Sequence, residues 1–196
     1  INIGLAPCSA MRVNFVGELG WELHHPIEYQ NHIFDQLMEA GKEFGLKPYG
    51  IRAMNSLRVE KSYKLVGTEL SIEYSPYESG LDRFVHPNKG DFIGRAALDK
   101  WRAKGFSNKL VTMEIHGVTD ADVLGNNPIY DNGSVVGRAT SGDFGFRVNK
   151  SIALGMVKPE LAKVGQKLKI DILGKMHEAS IVEDSPYDAE NKLLRA

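Results

Sequence analysis

The spacing of apolar and polar residues changes several times along the chain, and each change predicts an element. Met11, Val13 and Phe15 alternate with Arg12 and Asn14, which predicts a half-buried strand over Ala10–Phe15. Alternation resumes in Trp21-Glu22-Leu23-His24 and stops at Pro26. Between them lies Gly17-Glu18-Leu19-Gly20, where two glycines able to take positive φ permit a tight reversal. Such a reversal would hold Phe15 and Glu22 at the facing ends of two strands, with their side chains on one face. A flat apolar ring beside a fixed carboxylate suits a planar heterocycle carrying N–H donors. From these residues alone, a plain hairpin with a solvated glutamate is the competing reading.

From Glu28 to Phe44 the period becomes helical, with Ile33, Phe34, Leu37, Met38, Gly41 and Phe44 at three-and-four spacing and Gly45 as a stop. A second helix is predicted over Ile51–Lys61, with Ile51, Met54 and Leu57 as its apolar edge and Arg58 and Glu60 solvated or weakly paired. Leu65-Val66-Gly67 reads as a short strand, Ser75-Pro76-Tyr77-Glu78 as a helix start, and Leu81 to Val85 as an inward-packing stretch. Phe92, Ile93, Ala96, Ala97 and Trp101 then recur helically, with Asp91 as N-cap and Gly105 as terminator.

Beyond residue 105 strands dominate, and the domain boundary is placed there, giving domains 1–105 and 106–196. Val111, Met113 and Ile115 alternate, and Asp131-Asn132-Gly133 joins two short strands in a hairpin. Ile152–Val157 reads as a buried strand, and Leu168, Ile170 and Ile172 lead through a Gly174-Lys175 turn to Met176–Val182. Strands at this spacing predict a small barrel or sandwich. The polar tail from Ser185 to Ala196 is expected to be loosely held. Two strands followed by a helix with no strand crossover indicate an α+β class, and no GxGxxG follows a strand, so no Rossmann-type dinucleotide site is expected within this chain.

Composition narrows the function little. At 196 residues with net charge −1, the chain has no basic run to recruit nucleic acid or an anionic membrane. No apolar stretch nears the roughly 18–20 residues of a membrane span. Cys8 is the single cysteine, so no intramolecular disulfide forms, and it reads as a small packed residue. His24 and His25 are adjacent and on a strand would face opposite ways, so no metal site is expected. Thr140-Ser141-Gly142 reads as a turn, with no base in sight to activate a serine. The chain opens Ile1-Asn2-Ile3 without an initiator Met, which reads as a fragment whose upstream part is absent.

Several stretches, taken in order, resemble the glycine-cleavage T-protein (aminomethyltransferase) superfamily. They are Phe15-Val16-Gly17-Glu18-Leu19-Gly20-Trp21-Glu22-Leu23-His24-His25-Pro26, Ser56-Leu57-Arg58-Val59-Glu60-Lys61, Ser75-Pro76-Tyr77-Glu78-Ser79-Gly80-Leu81, Asp91-Phe92-Ile93-Gly94-Arg95, Thr140-Ser141-Gly142 and Ile152-Ala153-Leu154-Gly155-Met156-Val157. The Gly-Glu-Leu-Gly-Trp-Glu-Leu-His and Ser-Pro-Tyr-Glu forms lean toward the branch fused to dimethylglycine and sarcosine dehydrogenases. The resemblance implies the second part of a folate-binding α+β domain followed by a small C-terminal β-barrel. It implies tetrahydrofolate as cofactor, with the Glu22 carboxylate accepting pterin N–H bonds and Phe15 packing near the pterin. Family members more often have Tyr at the Phe15 position. A family arginine that reaches folate falls at Met54, with Arg52 half a helical turn away. The family's catalytic Asp lies in the amino-terminal part of the folate domain, so no catalytic residue is expected here and the fragment alone is expected to be inactive. FAD would belong to an upstream domain.

The function so implied is a piece of a one-carbon enzyme that takes a small N-methyl or aminomethyl substrate and passes the carbon to folate, in the cytoplasm or the mitochondrial matrix. A stand-alone aminomethyltransferase or folate-dependent demethylase is the second reading, and a non-enzymatic barrel module the third.

Overall fold

The protein is described by a computed structural model covering residues 1–118 and 120–195. Two short antiparallel hairpins open the chain. Strand β1 (Asn2–Ile3) pairs with β2 (Ala6–Pro7), and β3 (Ser9–Met11) pairs with β4 (Glu22–His24). Helix α1 (Gln30–Ala40) follows, flanked by 3₁₀ turns at Ile27–Tyr29 and Lys42–Phe44. Gly45 ends this stretch in the left-handed region at φ 68°, as its sequence position predicts. Helix α2 (Ile51–Val59) leads into irregular chain, then α3 (Arg95–Lys104) precedes the strand-rich half.

The main core lies in that half. Strands β5 (Lys109–Ile115), β6 (Pro128–Asp131), β7 (Ser134–Gly145), β8 (Lys150–Val157), β9 (Lys167–Ile172) and β10 (Lys175–Val182) close into an antiparallel barrel ordered β10-β5-β8-β7-β6-β9. The period-2 pattern explains the closure: Val111, Met113, Ile115, Ile129, Ile170 and Ile181 all point into one buried cluster. Closure pairs every strand on both sides and leaves no free edge. Strand β8 is buried along all but its first residue, because the barrel interior takes one face while α2 packs across β7 and β8. Its apolar run is therefore continuous rather than alternating.

Two of the barrel's hairpin turns, β6–β7 and β9–β10, take positive φ at two successive positions. Asn132 (47°) and Gly133 (79°) do so in the expected Asn-Gly turn. In the second hairpin the ladder begins with Lys175 opposite Ile172, so the turn is Leu173-Gly174 rather than Gly174-Lys175. Leu173 consequently takes φ 52°, unusual for a residue with a branched side chain.

Other expectations are corrected. The strand over Ala10–Phe15 is shorter, because Asn14 Oδ1 accepts the amide N–H groups of Val16 and Gly17 and turns the chain away from the ladder. Leu65-Val66-Gly67 forms only an isolated bridge, Val66 to Leu70. At Ser75, the Ser75 and Glu78 side chains cap each other's amides, yet only a turn forms. Phe84 is exposed on a 3₁₀ turn at Asp82–Phe84 rather than packed inward. Gly94, not Asp91, occupies the N-cap of α3, without a side-chain cap, whereas Gly105 does terminate it. Thr140-Ser141-Gly142 lies within β7 at a register shift, not in a turn. The tail is not loose either, since Lys61 Nζ donates to the carbonyls of Tyr187 and Asp188.

Packing at the barrel wall yields a direct test. A Cβ built on Gly137 would lie 2.2 Å from the Met156 carbonyl oxygen, a backbone atom that cannot swing aside. Gly137→Ala should therefore cost about 1–3 kcal/mol of stability. Urea unfolding with an unchanged midpoint would show that the wall yields at no cost.

Candidate functional site

The end of helix α2 turns its charged residues inward, the reverse of the sequence expectation. Ile51, at its start, is 75% exposed, while Arg58, Glu60 and Lys61 are 2%, 0% and 1% exposed. A buried charge costs several kcal/mol unless paired and hydrogen-bonded. Arg58 and Glu60 each face an opposite charge, and Lys61 is satisfied by three oxygen acceptors.

Arg58 donates through Nε and Nη2 to Asn55 Oδ1 (2.9 and 2.7 Å) and through Nη1 to the Tyr63 carbonyl (3.0 Å), 3.5 Å from Glu69 Oε2. Asn55 in turn donates to Asp143 Oδ2 at 2.7 Å, tying α2 to β7. Burial pulls the Arg58 guanidinium below its ordinary pKa, opposed by the charges of Glu69 and Asp143. Glu69 is fully buried and accepts from Ser141 Oγ (2.5 Å), Leu65 N (2.8 Å) and Thr68 Oγ1 (2.7 Å). Burial pushes its carboxyl up, but bonds from Ser141, Leu65 and Thr68 outweigh burial and leave its pKa lowered.

Glu60 and Lys61, next to each other, hold two different pieces of chain. Glu60 Oε1 accepts the backbone N–H of Arg147 at 2.7 Å, and Oε2 pairs with Arg147 Nε. Lys61 Nζ donates to the carbonyls of Tyr187 (3.1 Å) and Asp188 (2.7 Å) and to Asn191 Oδ1 (2.9 Å). Ser185 donates to the Lys61 carbonyl, and Tyr187 N to that of Glu60. The polar tail is thus fastened over the end of α2, which corrects the expectation of a loose terminus.

The glycine loop meets the same spot. Gly17 has φ 77°, and a Cβ there would lie 2.3 Å from Lys61 Cγ, so the loop sits on the lysine stem only because Gly17 has no side chain. Gly20 does not take positive φ; it instead lets the chain pass close to Asn14, 2.8 Å from where its Cβ would stand. Glu18 Oε1 accepts from both Arg147 Nη1 and the Tyr187 hydroxyl, each at 2.7 Å.

Phe15 lies just before that loop, half-buried, with its ring 6.3 Å from that of Tyr63 at 25°. Both line a cavity of about 400 Å³, together with Asn14, Lys61, Lys64 and Arg83. Burial pushes the Tyr63 phenol up, with Arg83 opposing. Glu22 is elsewhere: on exposed β4, opposite Met11 rather than Phe15, and it does not line this cavity. Its Oε2 is 3.2 Å from His24 Nε2, and Oε1 has no protein partner among the described residues. The two sequence-predicted site residues are therefore not cross-strand neighbours. Arg52 is exposed beside Asp122, whose carboxyl burial pushes up, helped by Asp143 and opposed by Arg52. Among the described residues, no group of His, Cys, Asp and Glu is placed to hold a metal ion. Cys8 is buried in a small cluster with Ala6 and Ile33.

Sequence reasoning missed Glu18, Arg147 and Tyr187. Glu18 and Arg147 stand 129 positions apart, and no local pattern links them. The one signal was Glu18 itself, a charged residue in a loop flanked by glycines.

Comparison with known proteins agrees with this architecture. A family model described as the GCVT N-terminal domain matches residues 1–89, and one described as the glycine cleavage T-protein C-terminal barrel domain matches residues 108–188. The chain is 40% identical over 185 residues to human mitochondrial dimethylglycine dehydrogenase, covering 94% of this chain and 21% of that protein. It is 36% identical to mouse mitochondrial sarcosine dehydrogenase, covering 95% and 21%. It is 35% identical to an aminomethyltransferase of Desulfitobacterium hafniense, covering 92% and 49%. The chain thus spans about a fifth of those dehydrogenases and about half of that transferase. The crystal structure of the glycine cleavage system aminomethyltransferase T from Bartonella henselae superposes with a TM-score of 0.82 at 23% identity, over 92% of this chain and 50% of that one, and so shares the fold.

The Glu69 environment predicts an acid response. Its folded pKa is lowered, so the stability it contributes is complete above its ordinary value of 4.5 and is lost as pH falls through the lowered value. Thermal melts between about pH 6 and pH 3 should show a smaller acid loss for Glu69→Gln than for the parent sequence. Parallel curves would remove Glu69 as a source of the acid sensitivity.

Proposed function

This chain belongs to the glycine-cleavage T-protein family, and from that premise we propose that it is the folate-holding and barrel portion of a tetrahydrofolate-dependent one-carbon enzyme of the dimethylglycine or sarcosine dehydrogenase type. The observation that carries the reading is the glycine loop. It presents a half-buried Phe15 to a cavity of about 400 Å³ and joins β3 to a strand bearing Glu22, whose Oε1 has no protein partner among the described residues. The 40% identity to human dimethylglycine dehydrogenase, against 35% to the transferase, favours the dehydrogenase branch.

Taken singly, the two residues suit the cofactor's chemistry, although Glu22 lies outside the cavity that Phe15 lines. A pterin edge offers N–H donors to the Glu22 carboxylate, and a charge-assisted pair of that kind fixes orientation as well as affinity. Phe15 offers a flat apolar face, and Tyr63 backs it at stacking distance. Tetrahydrofolate, when bound, supplies the ring nitrogen that accepts the one-carbon unit. The chain's own contribution is to bind and orient, which is catalysis by proximity rather than by covalent chemistry. In this reading the chain holds no catalytic residue. The flavin and the N-methyl or aminomethyl substrate are handled by other parts of a longer protein, in the cytoplasm or the mitochondrial matrix. The folate portion ends near residue 105 and the barrel begins at 106. Among the described residues no helix is long and apolar enough to cross a membrane.

A stand-alone aminomethyltransferase is the second reading, favoured by the 49% of such a relative that this chain spans. The two readings share the Glu22 assignment. Glu22→Gln should weaken tetrahydrofolate binding by about 2 kcal/mol or more. Calorimetry returning the same affinity for both forms would take Glu22 out of the site. A chain that never binds tetrahydrofolate would instead favour a barrel module without cofactor.

A further inference from the structure

Three segments distant in sequence converge on one carboxylate. Glu18 is at the centre of the glycine loop, Arg147 follows β7, and Tyr187 belongs to the tail; the guanidinium and the phenol both donate to Glu18 Oε1 at 2.7 Å. Each donor is itself held. Arg147 is fixed by Glu60 and by the Leu57 carbonyl (2.8 Å). The Tyr187 ring is fixed over the guanidinium, with Cζ 3.7 Å from its centroid. Burial opposes the charged form of Arg147, yet its bonds to Glu60 and Glu18 raise its pKa.

The loop that receives this grip has little else to define it. Pairing of β3 with β4 reaches only Met11 and Glu22. Among the described residues, the hydrogen bonds to the backbone of Phe15–Leu19 come from Asn14 Oδ1 alone. Position therefore depends on the seat of Gly17 against Lys61 and on the grip on Glu18. The cavity beside Phe15 is bordered by the same pieces, Lys61 from the end of α2 and Asp184 and Ser185 from the start of the tail.

We propose that Glu18, Arg147 and Tyr187 form a latch that presets the glycine loop for ligand, so that the barrel and the C-terminal tail position the Phe15 wall of the site. All three are positioning residues, since none lines the cavity. This inference rests on the folate reading for its ligand, tetrahydrofolate, but not for the latch itself. A loop held in its binding geometry needs no ordering on binding, whereas a loop that is competent only part of the time weakens apparent affinity by that fraction.

The test compares Glu18→Ala, Glu18→Gln and Tyr187→Phe with the parent sequence. Glutamine keeps a carbonyl oxygen for both donors, and phenylalanine keeps the ring over Arg147 while removing one bond. Glu18→Ala should raise the tetrahydrofolate Kd by about tenfold and speed amide exchange at Val16–Leu19, with the barrel amides unchanged. Glu18→Gln should restore most of both, and Tyr187→Phe should fall between. Equal affinity of Glu18→Ala and the parent would overturn the inference, as would failure of glutamine to rescue. If the parent does not bind tetrahydrofolate, the folate reading fails separately, and loop exchange still decides the latch: unchanged exchange in Glu18→Ala overturns it.

Discussion

Two adjacent opposite charges, Glu60 and Lys61, stand almost wholly out of water at the end of α2. Neither could remain there without partners, because an unpaired buried ion costs more than most single packing interactions return. Their partners come from two separate stretches of the carboxy-terminal half. Glu60 fixes Arg147 beyond β7, and Lys61 fixes the main chain of the tail. Through Arg147 the glycine loop is joined as well. One helix end thus sets the relation between loop, barrel and tail.

The barrel acts as the rigid frame for this arrangement. Its core is apolar and its strands leave no edge, while its outer face around β7 offers Asn55, Ser56 and Glu69 their partners at Asp143, Phe144 and Ser141. The amino-terminal elements have a much smaller core of their own, with Ala6, Cys8 and Ile33 at its centre. Their position is fixed less by burial than by directional bonds to the frame. Such bonds specify geometry more sharply than apolar contact does, which suits a segment whose proposed work is to orient a planar cofactor.

What could be read from residues alone follows the same division. The barrel strands were legible because alternation, a buried run at Ile152–Val157 and an Asn-Gly turn are local signals of local geometry. The stops at Gly45 and Gly105 were legible for the same reason. Helix α2 was misread in facing, since Glu60 and Lys61 at its end are buried by partners that arrive from far away in sequence. Glu60 to Arg147 spans 87 positions and Lys61 to Asp188 spans 127. The Phe15 and Glu22 pairing failed by a local competition, the Asn14 side chain capturing two amides that a longer ladder would have used. The tail was misjudged on polarity, yet its polar groups are what Lys61 and Asp184–Ser185 contacts require.

In the proposed function, the glycine loop and its flanking residues hold tetrahydrofolate. Hydrogen exchange of the chain with and without tetrahydrofolate tests this most directly, because it locates the ligand without altering any residue. Ligand-dependent protection should concentrate at residues 15–22 and 61–64, with the barrel strands unaffected. Protection confined to the barrel, or none at saturating ligand, would contradict it.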